Sequence, residues 1–123
     1  MRLIHFVNAL LILALAGCAA SLDFALPKDE ELQLLIYEKG AVDKQCVISA
    51  NGPTHEALAS WLAANKSDWE TTPATYAPGR LIQGSKFSIN VQEPQIIVSH
   101  AGGQFVRAYV PSEFAFLSCE AGV

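Results

Sequence analysis

In Leu32–Lys39 and again in Phe87–Val91 the apolar residues of this chain recur at every second position. Between these runs, from Thr54 to Asn65, they switch to a helical period. A period of two means that each run has one face to bury and one to leave in water, so the chain must build a sheet and cover one side of it. Leu32, Leu34 and Ile36 share a face in Leu32–Lys39, and Gln45–Ala50 reads as a second strand. Gly40–Lys44 lies between them as a turn, which predicts a hairpin. Asn51-Gly52-Pro53-Thr54 then stops the strand, with Thr54 as helix N-cap or Pro53 as first helical residue. Glu56 falls in the first turn, where a negative charge suits the helix dipole. Leu58, Trp61, Leu62 and Asn65 follow at helical spacing beside Ala57 and Ala64, with His55, Glu56, Ser60 and Lys66 expected on the exposed side.

Ser67–Arg80 has no sustained period and contains Trp69, Pro73, Tyr76, Pro78 and Gly79. A connection of that length exceeds the usual loop, and long loops often carry function. Leu81-Ile82 restarts the sheet, Gly84-Ser85 permits a bend, and Phe87, Ile89 and Val91 alternate with polar residues. Turns at Gln92–Gln95 and Ala101–Gly103 bound a strand at Ile96–His100 and set off a last one at Gln104–Val110, ended by Pro111. Ser112–Leu117 is open between a short capped helix and an extended piece. The expectation is an α+β domain over residues 32–123: a largely antiparallel sheet, built as hairpin, helix and three-strand meander, with one amphipathic helix across a face.

Ahead of that domain, residues 1–17 give one charge at Arg2, an apolar middle and small residues before Cys18. That is the layout of a secretory signal peptide, which is removed and takes no part in the fold. Asn8 interrupts the run and Gly17 closes it, short of the ~20 apolar residues a spanning helix needs. Leu15-Ala16-Gly17-Cys18 resembles the lipobox of bacterial lipoproteins. The resemblance implies a diacylglyceryl group on the Cys18 thiol, cleavage before Cys18 and acylation of the new amino group. Several acyl chains, at about 0.8 kcal/mol per buried CH₂, make a durable membrane anchor where one is marginal. It also implies the cell envelope, and the absence of Asp at position 19 favours the outer membrane, facing the periplasm. Residues 18–31 then serve as lipidated cysteine and tether, although alternating Leu22, Phe24 and Leu26 invite docking as an extended edge piece.

Lipidation of Cys18 leaves Cys46 and Cys119, and an even pair in an oxidising compartment reads as a disulfide. The net charge of −4 becomes one unit more negative when Arg2 is lost, and the lysines are scattered. Nucleic acid, which needs a basic patch, is a poor fit, as is polybasic attraction to anionic lipid.

Catalytic chemistry finds little to use. His55 and His100 do not stand at metal-ligand spacing, no Gly-x-Ser-x-Gly is present, and Gly102-Gly103 lacks a phosphate-binding spacing, so no cofactor is expected. The residues with the character of an interface are Trp69 and Tyr76, flanked by Asp68, Glu70 and Arg80, since aromatics and Arg anchor protein contacts. The alternative is that both aromatics fold back to cover the helix end and the sheet edge. The leading expectation is a lipid-anchored module, inhibitor- or immunity-like or an envelope-assembly accessory, that binds a protein or cell-wall partner. Two others stand beside it: a small hydrolase or ligand-binding enzyme using His100, and a structural envelope lipoprotein.

Overall fold

The computed structural model describes residues 20–119; the lipobox and the attachment at Cys18 lie outside the described residues. β1 (Leu32–Glu38) and β2 (Ala41–Ile48) pair antiparallel through a two-residue turn. Lys39 and Gly40 both take positive φ, 53° and 81°, the mirror-image turn whose twist matches that of the flanking strands. The turn is therefore shorter than the Gly40–Lys44 expected. Asp43 and Lys44 belong to β2, where a register shift opposite Ile36/Tyr37 absorbs the extra residue.

α1 (Pro53–Ala64) begins with Pro53 in its first turn and Gly52 at the cap position, with no side-chain cap. Thr54 does not cap because it is the second helical residue; it is buried, as are Leu58, Trp61 and Leu62. His55, expected in solvent, is buried too: its Nε2–H donates to the Pro27 carbonyl at 3.0 Å. The chain ahead of β1 brings that carbonyl to the helix. This strap is packed from Ala20 onwards, with Leu22 and Leu26 in the core.

The remaining strands are β3 (Glu70–Thr71), β4 (Arg80–Gln83), β5 (Ser88–Val91), β6 (Gln95–His100) and β7 (Gly103–Ala108), followed by a 3-10 turn at Pro111–Phe114. All join one antiparallel seven-stranded sheet in the order β2-β1-β4-β5-β6-β7-β3. The meander thus has four strands where three were expected, because Gly84-Ser85 is a full reversal and not a bend. Gly84 N–H bonds the Phe87 carbonyl at 3.0 Å, and the Phe87 ring folds over the glycine so closely that a Cβ there would lie 2.2 Å from it. β3 is also additional, a two-residue edge that pairs with β7.

One face of the sheet carries Leu32, Leu34, Ile48, Ile82, Ile89, Val91, Ile96 and Val98, and these form a single core with the α1 stripe, the strap, Phe114 and Leu117. The C-terminal segment is tied down by the Cys46–Cys119 disulfide, with Cα atoms 5.6 Å apart across a sequence separation of 73. The opposite face is covered over one half only. From β3 at one edge, residues 72–79 run back across β7, β6 and β5 to enter β4 near the middle, and Ile97 is buried beneath them.

Candidate functional site

The residues expected to form a recognition loop are divided among three places. Asp68, in the left-handed region at φ 65°, turns the chain so that Trp69 enters the core, where it is fully buried. The Trp69 indole N–H donates to the Asn65 carbonyl at 2.7 Å, its ring meets Trp61 edge-on at 6.2 Å, and its backbone exchanges two hydrogen bonds with Ala20. Trp69 therefore closes the end of α1 onto the strap and sheet edge, and it is withdrawn from any surface contact.

Arg80 is also internal to the fold. Its guanidinium donates to the Phe114 carbonyl at 2.9 Å and the Leu117 carbonyl at 3.0 Å, holding the C-terminal segment over the core. Tyr76 lies on the other face, half-buried, with its hydroxyl 2.9 Å from Thr72 Oγ1. Of the five, Asp68 and Glu70 are exposed, at the β3 edge beside Gln95 and Arg107.

The side chains that hold the loop down were missed from sequence. Asn90 accepts from Gly79 N–H at 2.9 Å and donates to the Ala77 carbonyl at 3.1 Å, and Gln92 donates to the same carbonyl. Gln104 donates to the carbonyls of Thr72 and Ala74 at 3.0 and 2.7 Å. A signal existed: Asn90 is a carboxamide between two buried apolar residues, a position where a polar group must find partners.

At the exposed end of α1, Trp61 Nε1–H donates to Glu113 Oε2 at 3.0 Å, and Val110 N–H donates to Glu113 Oε1 at 2.8 Å. The Val110 backbone bond, then the Trp61 bond, and more weakly the nearby Arg107 charge hold the Glu113 carboxyl below the ordinary glutamate range. Arg107 itself stacks 5.6 Å from the Trp61 ring and donates from Nε to the Ser67 carbonyl at 2.9 Å. This cluster locks the 3-10 turn to the helix.

His100 is packed between Phe24 and Phe105, with ring centroids 5.2 and 5.5 Å away. Its Nδ1 accepts from Gly102 N–H at 3.2 Å, and Nε2 has no partner among the described residues. Ser99 bonds Gln104 and points to the opposite face. Among the described residues no carboxylate or hydroxyl bonds His100. Among the described residues no group of His, Cys, Asp or Glu could hold a metal ion.

Two surfaces stand out among the described residues. One is a crease of about 230 Å³ between the strap and α1, floored by Phe24, Leu26, Ala59 and Leu62, with Lys28 and Lys66 on its rim. The other is the uncovered half of the back face: half-buried Leu35, Tyr37 and Leu81, continued by Val47 and Val42, 40% and 44% exposed, on β2. Among the described residues β2 ends the sheet, and no strand lies beside its outward N–H and C=O groups. Compared with family models, curated proteins and solved structures, the chain has no match.

Proposed function

We propose that this chain is a lipid-anchored envelope lipoprotein whose mature domain binds a protein or cell-wall partner through the β2 edge and the open back face beside it. The anchor reading rests on the lipobox resemblance at Leu15–Cys18. The observation that carries the binding reading is the exposure of Val42 and Val47 on β2, an eight-residue strand with no outer neighbour among the described residues. Native sheets blunt such edges, and a partner segment can extend them through main-chain bonds while side-chain pockets select it. The other edge is protected differently: β3 is two residues long, and Ala20 bridges Trp69 just beyond it.

The test is in-cell crosslinking from a photoreactive residue at Tyr37, comparing the native chain with a Val42→Asp/Val47→Asp variant. The valines are 44% and 40% exposed, and placing Asp in a strand costs up to about 1 kcal/mol at each site. Loss of the crosslinked species while circular dichroism shows the variant folded supports the reading; an identical crosslink in both proteins rejects it.

A further inference from the structure

The strap fixes where the anchor leaves the domain. Ala20 N–H donates to the Trp69 carbonyl at 2.7 Å, Trp69 N–H returns a bond to Ala20 at 3.0 Å, and Leu22 N–H donates to the Lys66 carbonyl at 2.8 Å. Leu22 is 1% exposed, so these bonds are backed by burial. Thr72 N–H points to β7, where it bonds the Gln104 carbonyl. By alternation along the strand Trp69 points the other way, and Ala20 therefore lies outside β3 at the extreme edge of the sheet. A single residue, Ala19, separates Ala20 from Cys18. Two residues of extended chain span at most about 7 Å. A flexible tether running from Ala19 to Glu31 is thus not what the fold provides.

We infer that the domain sits flush on the lipid headgroups, with the corner formed by Ala20, Lys66, Ser67 and Asp68 as its membrane-contacting surface. This rests on lipidation at Cys18. The corner is made of the end of α1 and the turn into β3; Arg107, Asp68 and Glu70 line one depression there, and exposed Lys66 stands two residues before Asp68. Its charges are mixed, so a short covalent tether holds it and not a basic patch. The opposite edge, β2, lies six strand spacings away, about 29 Å along the sheet at ~4.8 Å each. Asp68 and Glu70 thereby face the bilayer surface, and β2 is carried away from it.

The full-length lipidated protein is purified from membranes and reconstituted in phosphatidylcholine vesicles containing a headgroup spin-labelled lipid. A fluorophore is placed at Ser67→Cys or at Val42→Cys; the native thiols are occupied by the disulfide and the lipid. The expected result is strong quenching at position 67 and none at 42 beyond that with unlabelled lipid. A flexible insert of about ten Gly/Ser residues between Ala19 and Ala20, adding roughly 16–19 Å of reach, should abolish the quenching at 67. Equal quenching at both positions, or quenching at 67 unaffected by the insert, overturns the inference. If the N-terminal peptide proves unacylated by mass spectrometry, the anchor reading falls as well; if it is acylated and quenching is uniform, only the seating falls.

Discussion

Replacing Trp69 with alanine separates a core tryptophan from a recognition tryptophan. The side chain is fully buried, makes an indole hydrogen bond of 2.7 Å to Asn65, and meets Trp61 edge-on. Truncating a buried Trp costs about 3–5 kcal/mol through lost burial and the cavity left behind. The freed Asn65 carbonyl raises that cost, because a buried acceptor left unpaired loses about 1–3 kcal/mol. Total stability of such a domain is about 5–15 kcal/mol, so the variant forfeits a large share of it. In a domain of this size 1 kcal/mol shifts Tm by roughly 4–8 °C, and a fall of at least about 12 °C is expected by circular dichroism. Trp69→Phe keeps most of the ring and loses the indole bond, so its Tm should lie between those of Trp69→Ala and the native protein. Partner capture per folded molecule should be unchanged in Trp69→Phe. A Tm within about 4 °C of native for Trp69→Ala would refute the reasoning and return Trp69 to the surface.

Breaking the disulfide with Cys46→Ser releases a loop of sequence separation 73, and the chain-entropy relation gives a loss of up to about 4.4 kcal/mol, read from the urea midpoint. Arg80→Met should cost about 2–3 kcal/mol by the same assay, because the carbonyls of Phe114 and Leu117 lose a charged donor. Asn90→Ala should cost about 1–3 kcal/mol and raise amide hydrogen exchange over residues 74–79, since both ends of its carboxamide pin that segment. Glu113 has a lowered pKa in the fold, so it stabilises fully above the ordinary glutamate value, and that contribution is lost as pH falls through the lowered one. Glu113→Gln should accordingly flatten the acid limb of a Tm-against-pH curve, leaving the neutral plateau lower.

What could be read from sequence was local. The alternation in Leu32–Lys39 and the apolar run Cys46–Ile48 are local to each strand, as is the helical stripe through Leu58, Trp61 and Leu62 to its helix, so these elements were legible. The Cys46–Cys119 pairing needed only thiol arithmetic, given one cysteine assigned to lipid. Illegible features depend on partners far along the chain. His55 is buried because the strap delivers the Pro27 carbonyl 28 positions earlier. The Ala20 that pairs with Trp69 lies 49 positions earlier, although burial of Trp69 against the helix end and sheet edge was already one of the two readings. The Gly84 reversal turns on how the Phe87 ring folds, which alternation cannot report. The interface expectation treated residues 68–80 as one loop, whereas β3 cuts that stretch and sends its two parts to opposite faces.

The crossing segment at residues 72–79 lies inside the ring that Cys46 and Cys119 close. A protease that nicks it yields an amino-terminal piece holding β1, β2, α1 and β3, and a carboxy-terminal piece holding β4 to β7. In the sheet order the second piece is the middle and the first supplies both flanks. The severed halves are therefore interleaved as well as covalently joined, and a cut molecule keeps its shape and its apparent mass until a reductant separates the two bands.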